Sequence, residues 1–243
     1  MRSIKRFFRG CLSSVFFIIY GIGSLGIGFG ILPILFLFGA RASWVARNLI
    51  RLSYSAFVLL AKVLGLFRVE ASKETMEKLK SARSQVVVAN HPSLIDIVIL
   101  TSLLPASTGF AKAAAARNPF YSRVVRSVFI PNEDPSTALE EGINALKKGL
   151  NVIIFPQGTR TKEGEERKLH RGAANISLRA GAPILPIRIK LNIPVLGKSQ
   201  PWWDVGDSVV VYTLEAGGVI YPNASPSHKE AIELTKRIAK EII

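Results

Sequence analysis

The sequence predicts an α/β fold, a mixed central sheet flanked by helices, with an N-terminal hydrophobic helical hairpin that anchors the chain to a membrane. Three observations carry this. Gly10 to Ala40 holds no charged side chain. Past Phe67, short β-rich runs alternate with helical stretches, the pattern of strands covered by helices. The formal net charge is +15, an excess that calls for an anionic partner. The chain therefore divides into residues 1–67, membrane-anchoring and interfacial helices, and residues 68–243, the α/β domain.

About 20 apolar residues cross a bilayer, so the first segment is long enough to span one. A secretory leader would also start with Arg2, Lys5, Arg6 and Arg9, but this apolar stretch exceeds the usual leader core. Arg41 also makes Ala40-Arg41-Ala42 a poor cleavage site. Gly21, Gly23, Gly26, Gly28, Gly30 and Pro33 interrupt the segment, which favours a break over a straight rod. Split near Gly26, each half gives ~22 Å of helix against a ~30 Å hydrocarbon core, as in a re-entrant hairpin. Arg41, Arg47 and Arg51 follow the segment, so neither flank is marked as the outer one. Ala42 to Phe67, with Trp44, Tyr54, Phe57 and Leu60 among basic residues, fits an interfacial helix or a core helix of the following domain.

In the remainder, Gln85 to Ala89 is a strand and Leu94 to Leu104 a helix. Ser136 to Lys148 is a helix opened by Asp134-Pro135 and closed by Gly149. Asn151 to Phe155 is a strand, and Gly172 to Ala180 is a helix ending at Gly181. Ile184 to Leu191 is a strand despite Pro186, Ser208 to Leu214 is another, and Ser227 to Ile242 is the last helix. Pro194 to Gly206, with Trp202 and Trp203, is the least regular stretch. The lone Cys11 excludes an intrachain disulfide. His91, His170 and His228 lie far apart in sequence, with no metal-ligand spacing among them.

Two polar motifs follow strands. In Asn90-His91-Pro92-Ser93-Leu94-Ile95-Asp96, Pro92 suits a helix start. His91 and Asp96 would stand ~140° apart on a regular helix, but a histidine in the turn and an aspartate in the first helical turns can meet. Asp96 would then hold one imidazole nitrogen and leave the other as a base. A helix-capping histidine with a carboxylate at the positive end fits the same spacing equally well. Ser93 lacks the elbow of a nucleophilic serine. In Phe155-Pro156-Gln157-Gly158-Thr159-Arg160, Gly158 permits a turn that presents N–H groups, and Arg160 offers a planar fork for phosphate or carboxylate. Sites in α/β folds gather at such strand ends.

Together the motifs resemble those of the glycerolipid acyltransferases that include the 1-acyl-glycerol-3-phosphate acyltransferases. That family carries a histidine and an aspartate separated by four residues, and further on a Phe-Pro-Glu-Gly-Thr-Arg block. His91, Asp96, Phe155, Pro156, Gly158, Thr159 and Arg160 match, as do Lys112 with Pro119-Phe120, Gly172-Ala173-Ala174 and Gly181 to Pro186. The resemblance implies a membrane-bound O-acyltransferase and implies no metal or redox cofactor.

 This implication extends to the substrates: an acyl thioester of coenzyme A or acyl carrier protein as donor, and a lysolipid as acceptor, lysophosphatidic acid by default. His91 would take the acceptor hydroxyl's proton, and Asp96 would hold the imidazole tautomer. Lys112, Gln157, Gly158, Thr159 and Arg160 would bind the acceptor, with backbone donors near Gly158 facing the oxyanion. The expected location is a bacterial inner membrane with the catalytic domain on the cytoplasmic face. The net charge beside a long apolar N-terminus points to anionic lipids, and the absence of a nucleic-acid-binding motif counts against nucleic acid.

Two departures mark the acceptor side. Gln157 stands for the family's glutamate, and Ile130-Pro131-Asn132 stands where the family carries Ile-Asp-Arg. Another lysolipid, an amino-acid-linked lipid or a specialised lipid anchor therefore competes with lysophosphatidic acid. Outside the transferases, a thioester hydrolase and a non-catalytic membrane-surface protein are the competing readings.

Overall fold

The structure is a computed structural model that describes residues 2–37, 41–117, 122–161, 168–198, 200–223 and 227–243. Its elements run α1 (Arg2–Leu25), a π-helical stretch (Gly26–Ile31), α2 (Leu32–Phe36), α3 (Arg41–Val63), β1 (Phe67–Ala71), α4 (Lys73–Ser81) and β2 (Val86–Ala89). Then come α5 (Asp96–Leu103), β3 (Ser107–Lys112), α6 (Ala113–Arg117), α7 (Ser122–Val128), β4 (Ile130–Asn132), α8 (Pro135–Lys147) and β5 (Asn151–Ile154). The chain closes with α9 (Gly172–Ala180), β6 (Ile184–Leu191), β7 (Val210–Ala216) and α10 (His228–Ile242).

The strands form one seven-stranded sheet in the order β1-β7-β6-β2-β5-β3-β4. Strands β6, β2, β5, β3 and β4 are mutually parallel, and β7 turns antiparallel to β6, taking β1 with it. This is the α/β class with a mixed sheet that the sequence predicts. The central strands β2 and β5 are buried at every position, as expected where helices cover both faces. Val87, Ile153 and Leu185 face one layer, with residues of α3 and α5, while Val86, Val152 and Ile184 face the other, with α8, α9 and α10. Pro186 is tolerated inside β6 because β7 pairing begins only at Ile187. On that side its carbonyl accepts the Gly217 N–H instead.

Helix boundaries follow local chemistry. Asp134 caps α8 by accepting the Thr137 N–H at 2.8 Å, with Pro135 in the first turn. Ser227 caps α10 through the Glu230 N–H at 3.1 Å, and Ala231, Leu234, Ile238 and Ile242 form its buried stripe. Three strands escape the sequence reading, each for its own reason. β1 alternates charged and apolar residues at a sheet edge, β3 carries Gly109 and few β-formers, and β4 has only 3 residues.

The N-terminal segment differs from expectation. No break falls at Gly26: α1 continues through the π-helical stretch into α2. The wider π turn, with Leu32 N–H reaching Ile27 O, precedes Pro33 and relieves the clash its ring would make in a regular helix. The second arm of the hairpin is α3, which the aromatic contacts Tyr20–Phe57 and Phe16–Phe57 hold to α1. Ala40, in the weak cleavage match, lies outside the described residues. α3 is also a core helix. Ala46, Ile50, Phe57 and Ala61 are buried, and Arg47 donates to Val128 O at 2.8 Å. Phe16, Phe57 and Leu66 share one cluster with Val87, Ile99 and Leu185, so the helices and the sheet have a common core.

Candidate active site

The C-terminal ends of the parallel strands gather the polar motifs on one edge of the sheet. β2 ends at Ala89 and delivers Asn90 and His91; its neighbour β5 ends at Ile154 and delivers Phe155 to Arg160. Asn90 braces β2 against β6, donating to Ile189 O at 2.8 Å and accepting from Ile189 N at 2.6 Å. The chain then turns before α5 begins at Asp96. Pro92 does not open the helix, which starts later than the sequence predicts.

The turn brings His91 and Asp96 together. Nδ1 of His91 lies 2.8 Å from Oδ2 of Asp96, and Asp96 is fully buried. With Nδ1–H donating to the carboxylate, Nε2 is left to face outward, and it has no hydrogen-bond partner among the described residues. The ring stacks on Phe155, centroids 4.2 Å apart and planes within 16°, which fixes the imidazole face. Gln157 accepts the His91 N–H at 3.1 Å, and Thr161 N–H donates to His91 O at 2.9 Å. The change at Gln157 therefore touches the histidine's backbone rather than the acceptor side alone. A neutral amide oxygen makes this bond without placing a second charge near Asp96.

Burial pushes the Asp96 carboxyl up, opposed by His91 and by the N–H and hydroxyl of Ser93. The Ser93 N–H donates to Asp96 Oδ2 at 2.8 Å. Ser93 Oγ lies 2.9 Å from the Tyr212 hydroxyl and accepts the Ile95 N–H at 3.2 Å. Ser93 is thus a buried support of the carboxylate, not an exposed nucleophile. Burial and the nearby Asp96 carboxylate raise the Tyr212 phenol, keeping it protonated and able to donate into Ser93. Tyr212 was invisible to the sequence reading, because nothing in a β-rich run marks one tyrosine as a neighbour of a residue so far upstream.

The remaining predicted residues divide. Gly158 takes φ +68°, and a Cβ there would stand 3.2 Å from the His170 ring, so both backbone and space require glycine. Its N–H closes the turn onto Phe155 O at 3.0 Å and is not turned outward as an oxyanion donor. Thr159 is partly exposed at the turn. Arg160 Nη1 donates to Leu196 O at 2.8 Å and Gly197 O at 2.9 Å. Its fork thereby clamps the loop after β6. Leu196 also accepts the Leu94 N–H at 3.1 Å and sits at φ +54°, a strained conformation for leucine. Lys112 is exposed at the end of β3, in register with Asn132 of β4. Two strand spacings, ~10 Å, separate β3 from β2, so Lys112 stands beside the His-Asp pair and not in contact with it. Pro119 and Phe120 lie outside the described residues. Among the described residues, no group of three or more His, Cys, Asp or Glu side chains is placed to hold a metal ion.

Residues 70–190 match the family model described as Acyltransferase, and the chain belongs to that family. Among its relatives, the 1-acyl-sn-glycerol-3-phosphate acyltransferase of Pseudomonas aeruginosa is 29% identical over 168 residues, covering 66% of this chain and 62% of that protein. The 1-acyl-sn-glycerol-3-phosphate acyltransferase of Cocos nucifera is 32% identical over 110 residues, covering 42% of this chain and 36% of the relative. The matched segment thus spans less than two-thirds of either relative. The crystal structure of the 1-acyl-sn-glycerophosphate (LPA) acyltransferase PlsC from Thermotoga maritima has the same fold. It superposes with a TM-score of 0.72 over 99% of this chain and 94% of that one, at 24% identity.

Proposed function

We propose that this chain is a membrane-bound O-acyltransferase that moves an acyl group from a thioester of coenzyme A or acyl carrier protein to the hydroxyl of a lysolipid. The observation that carries the reading is the 2.8 Å contact between His91 Nδ1 and the fully buried Asp96. Neutral His91 takes the acceptor's proton at Nε2 as the hydroxyl oxygen attacks the thioester carbonyl. Asp96 holds the tautomer and stabilises the imidazolium. Collapse of the tetrahedral intermediate forms the ester and expels the thiolate, which His91 reprotonates.

The default acceptor is lysophosphatidic acid, after the names of the relatives. Lys112 offers one cation for its phosphate, and Asn132 beside it offers an amide where the family has arginine. That pair favours an acceptor carrying less negative charge than a phosphate monoester, which keeps other lysolipids and lipid anchors in view.

The membrane reading is supported by Ile4–Ile34, long and apolar enough to cross a bilayer. α1 nevertheless packs Ser13 and Phe16 on the domain, while Phe7, Phe8, Val15, Ile18 and Ile22 face outward. A helix with one side on the domain is suited to lie in a single leaflet, and the catalytic domain then rests on the cytoplasmic face.

The test is transfer of a labelled acyl chain, from both donor types, to lysophosphatidate, neutral lysolipids and amino-acid-linked lysolipids. Acceptor-dependent ester formation is expected. Thioester loss at the same rate without any acceptor would replace the transferase by a hydrolase.

A further inference from the structure

The loop between β6 and β7 joins the first turns of α1 to both site motifs. At one end Leu196 and Gly197 hold Arg160, and Leu196 holds Leu94. At the other, Asp204 pairs with Arg6, and Arg9 donates to Gly206 O at 3.3 Å. Between them Trp202 and Trp203 rest along α1. Ser13 Oγ donates to Trp202 O at 3.4 Å, and the Trp202 ring meets Phe17 with centroids 6.0 Å apart. A Cβ on Gly10 would lie 3.3 Å from Trp203 O, so glycine lets the loop approach the helix closely. Yet the indoles remain 37% and 50% exposed.

We infer that Trp202 and Trp203 form a second membrane-binding element, placed at the lipid–water boundary beside α1. This rests on the membrane-bound reading above. The outward face of α1, with Phe7, Phe8, Val15 and Ile18, would sink ~5–10 Å into the acyl boundary. The loop sits on the shoulder of that helix, about one helix diameter (~10 Å) across, so the tryptophans come to headgroup depth. Indoles, with an apolar body and one N–H donor, favour that depth. Lys5 is exposed at the same end of α1, beside the Arg6–Asp204 pair, on a chain of net charge +15, which commits the occupant to an anionic bilayer. Lipid contact at one end of the loop then steadies the Arg160 clamp at the other.

The chain has 3 tryptophans, so two variants separate the signals. Trp44→Phe leaves only the loop pair, and the double variant Trp202→Phe, Trp203→Phe leaves only Trp44 on α3. Each is mixed with phosphatidylglycerol vesicles containing lipids brominated near the headgroup or deep in the chains. Loop emission is expected to shift blue and to be quenched more by shallow than by deep bromines. Replacing both loop tryptophans by serine is expected to weaken vesicle partitioning about tenfold. Quenching of Trp44 without quenching of the loop pair overturns the inference and leaves the membrane reading standing. Quenching of neither overturns both.

Discussion

At the scale of single residues, Asp96 stands where function and stability oppose each other. Its ordinary carboxyl pKa is near 3.8, and burial raises it in the fold. The folded state therefore disfavours the ionised form, a cost absent at acid pH that grows as pH rises past the unfolded value. Asp96→Asn removes that cost. Its melting temperature relative to the unmodified chain should climb between pH 4 and pH 7 in thermal unfolding scans, while acyl transfer falls on the order of 10³-fold or more from the lost tautomer control. A flat stability difference across that range would contradict the burial argument. Tyr212 acts one step further out, through Ser93. Tyr212→Phe keeps the ring and removes the hydroxyl, and steady-state kinetics should show kcat down about tenfold with KM for both substrates unchanged. A change in KM alone would assign Tyr212 to substrate binding instead.

At the scale of elements, the strand-end location of both motifs was legible, since His91 and Phe155 each follow an apolar β-rich run. The 2.8 Å pairing followed from placing a turn between His91 and Asp96. Tyr212 and the Leu196 clamp were not legible, because they depend on β7 turning antiparallel to β6 and on a loop without periodicity. Neither property is written in local residue pattern. The continuous α1 was misread for a related reason: glycines signal a break locally, but packing against α3 and the π turn before Pro33 keep the helix whole. Two predictions belong here. Arg160→Met should raise hydrogen–deuterium exchange across residues 192–207 and at Leu94, with lower kcat; unchanged exchange would show that the clamp holds nothing. Asn132→Arg should raise kcat/KM for phosphate-bearing acceptors over neutral ones several-fold, the size of one added charge-assisted contact. Equal kcat/KM for the two acceptor classes before and after the change would remove β4 from acceptor choice.

At the scale of the whole molecule, the N-terminal helices are not a detachable anchor. Phe16 and Phe57 lie in the same cluster as Leu185 and Tyr212, so the apolar N-terminal helices and the sheet that carries the candidate site are built on one core. Removing α1 should expose Phe57 and Leu66 and yield a chain that aggregates, seen by light scattering even in mild detergent. A stable, monomeric truncation would mean that the shared core contributes little. Binding of the intact chain to anionic vesicles should weaken as salt rises while keeping a salt-insensitive part from the apolar face.

The most direct measurement is acyl transfer by the full-length chain in anionic lipid nanodiscs, with ester product and thioester loss followed together in the unmodified chain and in His91→Ala. The account predicts acceptor-dependent ester formation that vanishes with His91 while the variant still folds and binds the bilayer. Ester formation that survives His91→Ala at a similar rate would contradict it.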